Sequence, residues 1–204
     1  MIEQPLIRFL FGTPLWKLKW PESRSESLTR IAAQVAADVS CGEINSGFNK
    51  SNFLGSQSRR CPLRESPYLQ DSERKILLEM LLSVLPLSSS FRINSWINCS
   101  PAGSHNSAHV HPGAEISGVF YISVPPESGQ IVFRDPRPQS EMSRLYSKDG
   151  KIFETLTPRV PVTPAPGDLL LFPSWLMHQV EPGEDHKELR ISMALNINGL
   201  KAAE

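Results

Sequence analysis

The chain has 204 residues, 21 basic and 21 acidic, so it carries no net charge at pH 7. That length suits one domain, 1–204, with a real core, and the charge balance removes any general attraction to nucleic acid or to an anionic membrane; specificity has to sit in a local site. Three cysteines, Cys41, Cys61 and Cys99, are an odd number without C-x-x-C spacing, which argues against a disulfide framework and a thiolate zinc site and for free thiols in a reducing compartment.

The opening stretch MIEQPLIRFLFGTPLWKLKW is broken by charges and by Pro14, so it lacks the unbroken apolar run of a signal peptide or a membrane span. The expectation is a soluble, cytoplasmic protein with no membrane partner. Leu28, Ile31, Ala32, Val35, Ala36 and Val39 then follow the spacing of an amphipathic helix, with Ser25 or Ser27 as its N-cap and Gly42 just past its end. Ile76, Leu77, Met80, Leu81 and Val84 form the stripe of a second helix, capped by Asp71 or Ser72 and stopped by Pro86. Between the two, the polar stretch from Cys41 to Gln70, punctuated by Gly47, Gly55, Pro62 and Pro67, reads as a long loop able to cover an opening. Its basic cluster Arg59, Arg60 and Arg64 reads as a solvated loop unless the loop closes over an anionic substrate.

From Phe91 the period changes to two. Phe91 to Cys99, Ile116 to Val124, Gln130 to Arg134, Leu169 to Phe172 and Leu189 to Ile197 are strand-like runs separated by Pro, Gly and Ser. Short strands without intervening helices imply a sandwich or jelly roll, so the fold class is mainly β with flanking helices: a layer over 1–90 supporting a β core over 91–200. The proline-rich stretch from Pro136 to Pro166 is expected to carry a hairpin near Asp149-Gly150.

Five histidines sit in this half or at its edge. On a strand, side chains at i and i+2 share a face about 7 Å apart, so His109-Val110-His111 presents two imidazoles together. His178, ending the buried run that starts at Gly167, can deliver a third from another strand. His105 and His186 read as solvated. Three imidazoles with open positions suit iron in the facial arrangement of non-haem oxygenases, and zinc is a competitor. Downstream, Ile191, Met193, Leu195 and Ile197 alternate with Arg190, Ser192, Ala194 and Asn196. A guanidinium and a hydroxyl on one inward face form a fork for a carboxylate; the alternative is that Arg190 pairs with an internal acid such as Asp168 or lies exposed on an edge.

With these residues in place, the region from about Trp96 to Asn198 resembles the 2-oxoglutarate and Fe(II)-dependent oxygenases, and within them a group from bacteria and phage. The similar segments are His109-Val-His-Pro-Gly-Ala-Glu-Ile-Ser-Gly-Val-Phe-Tyr121, Phe133-Arg-Asp-Pro136 and Gly167-Asp-Leu-Leu-Leu-Phe-Pro-Ser-Trp175. Twelve residues separate His178 from Arg190, an interval of the kind this family shows. The resemblance implies a double-stranded β-helix, a cupin-like jelly roll, with Fe(II) and 2-oxoglutarate as cofactors. It implies His109, His111 and His178 at the metal, and Arg190 and Ser192 around 2-oxoglutarate; Tyr121 reads either as a hydrogen-bond donor to the bound acid or as a packed strand residue with its hydroxyl at the rim. The reaction implied is oxidative decarboxylation to succinate and carbon dioxide, coupled by O2 to hydroxylation of a small-molecule or peptidyl substrate. Such enzymes commonly pair as homodimers.

The family places Asp or Glu where this chain has His111, so either all three ligands are histidine or the third comes from elsewhere, with Glu115 and Asp135 as candidates. Asn94 and Asn98 share a face with Arg92 and Trp96 and are candidates for the pocket wall, with ladder-edge or solvent-facing roles as the alternative. Trp175, Phe172 and Phe133 read as core. Two rival readings stand beside the oxygenase: a three-histidine cupin-type dioxygenase that does not use 2-oxoglutarate, favoured by His111 and disfavoured by Arg190 and Ser192, and a jelly roll whose metal has no catalytic role.

Overall fold

The computed structural model describes residues 12–44, 51–137, 158–184 and 187–201. The expected hairpin near Asp149-Gly150 and the solvated His186 lie outside the described residues. Both expected helices form. α1 spans Ser25–Ser40 and buries Ile31 and Val35, and Gly42 follows its end at φ +80°, the left-handed conformation that suits glycine. Its start departs from expectation, since neither Ser25 nor Ser27 caps the first turn. A 3-10 turn over Glu22–Arg24 already runs into the helix, and the Ser27 hydroxyl instead donates to the Arg24 carbonyl.

α2 spans Asp71–Leu82 and buries Leu77 and Leu81. Its cap is Gln70, one residue before the expected Asp71 or Ser72, because Glu73 completes a reciprocal capping box: its Oε2 accepts the Gln70 N–H at 2.7 Å. The same carboxylate accepts from Arg30 at 2.5 Å, which ties α2 to α1. The helix ends four residues short of Pro86.

The strands form two antiparallel sheets. In chain order they are β1 (Trp16–Lys19), β2 (Asn52–Phe53), β3 (Ser56–Gln57), β4 (Cys61–Pro62), β5 (Leu87–Ser100), β6 (His105–His109), β7 (Ile116–Ser123), β8 (Ile131–Arg134), β9 (Arg159–Val162), β10 (Asp168–Pro173), β11 (His178–Val180) and β12 (Arg190–Leu200). The larger sheet runs β1-β10-β7-β12-β5-β3, with β4 also on β5; the smaller runs β2-β6-β11-β8-β9. The stretch expected to be a long loop, 41–70, therefore carries three short strands and a 3-10 turn over Leu63–Glu65.

The alternation read in β12 is realised. Ile191, Met193, Leu195 and Ile197 join Ile97, Phe120, Leu169 and Leu171 in the apolar layer that packs against Ile31, Val35, Leu77 and Leu81 of the helices. The opposite face of the larger sheet turns toward the smaller sheet. β10 is buried along its whole length, which is why Leu169 to Phe172 is an unbroken apolar run. Phe172 and Phe133 are core, as expected, whereas Trp175 is 55% exposed on the turn after β10 and does not belong to it. Among the described residues no helix is long and apolar enough to cross a membrane.

Candidate metal and cosubstrate site

A cavity of about 780 Å³ lies between the sheets, walled by β5, β7, β10 and β12 on one side and by β6, β8 and β11 on the other. His109 closes β6 and His178 opens β11, and the two are register partners in the smaller sheet. β6 carries one extra residue opposite the step from His178 to Val180, a bulge of the kind that re-aims side chains. His111 is not on the strand, contrary to expectation. The ladder ends at His109 because the chain turns there: His111 donates its N–H to Ser174 at 3.0 Å and accepts from Ala114 at 3.3 Å. The turn nevertheless brings its ring back to the other two.

The three ring centroids lie 4.4 to 5.2 Å apart, and one ligand atom from each falls within 4.8 Å of the others. His109 Nδ1 is 2.7 Å from the Ser107 carbonyl and His178 Nδ1 2.9 Å from the Leu176 carbonyl. A carbonyl only accepts, so both Nδ1 atoms carry the proton and both Nε2 atoms present a lone pair. Metal-binding imidazoles are oriented in the same way, by a hydrogen bond from the ring nitrogen that does not face the ion. Nε2 of His111 and of His178 face each other at 3.3 Å; two imidazoles bound to one ion at about 2.1 Å each stand about 3.0 to 3.4 Å apart, so the pair fits a shared cation. Burial, reinforced by the neighbouring His109, holds His178 down to about 3 and His111 to about 4, and Arg60 adds to the effect on His111. Burial also lowers His109. All three rings are thus neutral at pH 7, the protonation state a metal requires.

The two alternative carboxylates are engaged elsewhere. Glu115 accepts the N–H groups of Gly199 and Leu200, both at 2.8 Å, and so pins the end of β12. Asp135 is gripped by Arg137, from Nε at 2.9 Å and Nη2 at 2.6 Å, and that partner holds its carboxyl below the usual range. Among the described residues, the only grouping of His, Cys, Asp and Glu side chains able to hold an ion is His109, His111 and His178.

Beside the histidines, Arg190, Ser192 and Tyr121 line the same cavity. Ser192 is the register partner of Tyr121, and a one-residue shift between Ile191 and Ser192 sets that pairing. Arg190 is 4% exposed and donates from Nη1 to the Ser128 carbonyl at 2.6 Å, which orients the guanidinium. It does not pair with Asp168, whose carboxylate is taken by Lys17 and Lys19, each at 3.0 Å, and it does not lie on an exposed edge. Burial pushes the Tyr121 hydroxyl well above the usual phenol range, so it remains a hydrogen-bond donor. Asn98 lines the cavity; Asn94 does not, lying opposite Pro62 of β4.

Several site features carry no local signal in the sequence. The Ser107 and Leu176 carbonyls that fix the imidazole tautomers are backbone atoms. Arg60 is exposed in a loop, as expected, but it also stacks over Trp96 with its guanidinium carbon 4.5 Å from the ring centroid. His105 begins β6 and stacks on Phe53 at 4.8 Å rather than standing free in a loop. All three cysteines are free, as expected.

The family described as "Putative 2OG-Fe(II) oxygenase" matches residues 94–196. No curated protein matches the chain. Among solved structures, a prolyl-4-hydroxylase from Pseudomonas putida is similar at 15% identity and TM-score 0.59, covering 96% of each chain. A prolyl hydroxylase from Trichoplax adhaerens, in complex with a hypoxia inducible factor peptide fragment, is similar at 14% identity and TM-score 0.61, covering 91% of this chain and 83% of that one. HygX from Streptomyces hygroscopicus, with nickel and 2-oxoglutarate bound, is similar at 16% identity and TM-score 0.52, covering 92% and 83%. These likenesses are of fold: two antiparallel sheets wound as a jelly roll, with helices backing the larger one.

Proposed function

We propose, from the premise that this chain belongs to the 2OG-Fe(II) oxygenase family, that His109, His111 and His178 hold the iron, that Arg190 and Ser192 hold the far carboxylate of 2-oxoglutarate, and that the product is a hydroxylated small molecule or peptidyl side chain. Iron bound there would supply the redox chemistry that couples decarboxylation of 2-oxoglutarate by O2, yielding succinate and carbon dioxide, to oxidation of a second substrate. The observation that carries the reading is the pair of Nδ1–H groups locked onto Ser107 and Leu176, which aims the bare Nε2 atoms of His109 and His178 at one point beside His111.

The residues then divide the work. The Ser128 carbonyl fixes Arg190, leaving its other N–H groups for a carboxylate. Ser192 and Tyr121, paired across β12 and β7, add hydroxyl donors from adjacent strands. Phe172, packed edge-on to His178 at 4.7 Å, and Ile131 close the inner wall and limit water around the reacting groups. An all-histidine set leaves the ion one charge more positive than a set with a carboxylate, which strengthens its hold on an anionic cosubstrate.

The test is anaerobic. Protein with Fe(II) is expected to develop a weak visible charge-transfer band when 2-oxoglutarate is added, and His178→Ala and His111→Ala are each expected to lose bound iron by elemental analysis. Full iron retention by His111→Ala would remove that residue from the ligand set. Normal iron binding without the band would favour the cupin-type dioxygenase, to which the three-histidine cluster is also suited.

A further inference from the structure

The histidines, Arg190, Ser192 and Tyr121 account for one part of the cavity wall; the other end contains groups they do not explain. Arg59 and Arg60, between β3 and β4, line the same space. Arg60 lies over the Trp96 ring, and that ring lies 5.9 Å from His111. The guanidinium carbon is therefore no farther from the His111 ring than those two lengths end to end, about 10 Å. Trp96 and Ser100 are four residues apart on β5, and Ser100 is the register partner of Arg190. Arg60 and Arg190 thus stand toward opposite ends of a row about 13 Å long.

The charges do not balance. Three arginines line the cavity and, among the described residues, no aspartate or glutamate does. The two negative charges of 2-oxoglutarate offset a ferrous ion, and histidine in place of a carboxylate adds none. Arg190 faces the cosubstrate and already leaves one positive charge over; Arg59 and Arg60 have no acidic partner among the described residues and add two more. On the wall between the two ends, Asn98 adds a polar side chain to the lining.

We infer that Arg60, braced on Trp96 with Arg59 beside it, is the substrate-recognition element, and that the molecule oxidised here is a small anion bearing a carboxylate or a phosphate. The inference rests on the oxygenase reading above. A guanidinium donates two parallel N–H bonds to either group, and stacking on the indole restricts its rotamers before the ligand arrives. The reach of about 10 Å from Arg60 to the His111 ring limits the substrate to a few carbons between the anionic group and the oxidised C–H. The uncompensated positive charge also attracts anions to the mouth and discriminates against neutral analogues.

The test uses protein loaded with Fe(II) and saturated with 2-oxoglutarate under argon, the charge-transfer band confirming the load before any probe is added. Hexanoate, hexanamide and pentyl phosphate are titrated by calorimetry. Wild-type protein is expected to bind at least one anion roughly tenfold to a hundredfold more tightly than the amide, and the preferred anion identifies the substrate's group. Arg60→Ala is expected to erase that preference and Arg60→Lys to retain part of it. If neither anion binds more tightly than the amide, or if the preference survives in the Arg59→Ala, Arg60→Ala double variant, the inference is overturned. A wild-type protein that never forms the band fails the oxygenase reading instead, so the two failures are distinct.

Discussion

Replacing Arg190 by methionine separates what this residue costs the fold from what it contributes to the site. Arg190 is 4% exposed and, among the described residues, makes one hydrogen bond, to the Ser128 carbonyl, which leaves most of its five N–H groups to donate to a ligand. Removing one partner of a buried charged pair costs about 2–5 kcal/mol, a factor of roughly thirty to several thousand in affinity. With Mn(II) in place of iron to prevent turnover, 2-oxoglutarate at a hundred times its Kd adds about 2.7 kcal/mol to wild-type stability. For a chain of this length that raises Tm by about 5–11 °C. At the same concentration the variant, at least about thirtyfold weaker, gains about 0.9 kcal/mol or less, which is about 2–4 °C. Without 2-oxoglutarate it is expected to melt no lower than wild type, because methionine keeps most of the stem's packing and removes a buried cation. Differential scanning fluorimetry with and without 2-oxoglutarate reads both numbers. A full ligand-induced shift in the variant would refute the assignment of Arg190 to the cosubstrate.

Two further outcomes follow from the residues that frame the site. Gly129 sits at φ +86°, and a Cβ there would collide with the Glu181 carbonyl; Gly129→Ala is expected to cost about 1–3 kcal/mol and, by shifting the neighbouring Ser128 carbonyl off Arg190, to shrink the 2-oxoglutarate shift, whereas unchanged melting with and without ligand would show that the turn tolerates a side chain. Burial raises the Asp168 carboxyl, but hydrogen bonds from Lys17, Lys19 and the Ala165 N–H outweigh it and leave it below its ordinary value. Its contribution is therefore complete above the unfolded value of about 3.9 and is lost as pH falls through the lower folded value; Asp168→Asn is expected to cost about 1–3 kcal/mol at pH 7 and to flatten the acid limb of a urea-unfolding pH series, and an unaltered limb would show that the β1 anchor does not depend on this charge.

What the sequence makes legible is whatever repeats over many residues. β12 divides an apolar layer from a polar cavity along eight consecutive positions, so its period of two is plain, and the buried run of β10 is equally plain. The helices announce themselves by their stripes, yet their caps do not: Gln70, Asp71 and Ser72 are adjacent polar residues, and Glu73 decides among them only through a folded contact. Strands of two or three residues, such as β2, β3, β4 and β11, are too short to carry any period. The histidine cluster was foreseeable, although the i, i+2 argument describes its route wrongly. His111 arrives through a turn hung on Ser174, not along a strand. The meeting of Arg60 with Trp96 joins distant parts of the chain and leaves no trace in either neighbourhood.

The two faces of β12 have a consequence for how this protein can change. Deleting Ile191, inside the paired strand, would exchange the faces downstream, sending Met193 and Leu195 toward the metal pocket and Ser192 and Asn196 into the oily layer under the helices. Length variation in that strand is thus closed off, and divergence of this wall must proceed by replacing one inward side chain at a time. The crossing between β3 and β4 carries no such double duty, so new substrate preferences are free to accumulate there while the hydrophobic foundation stays intact.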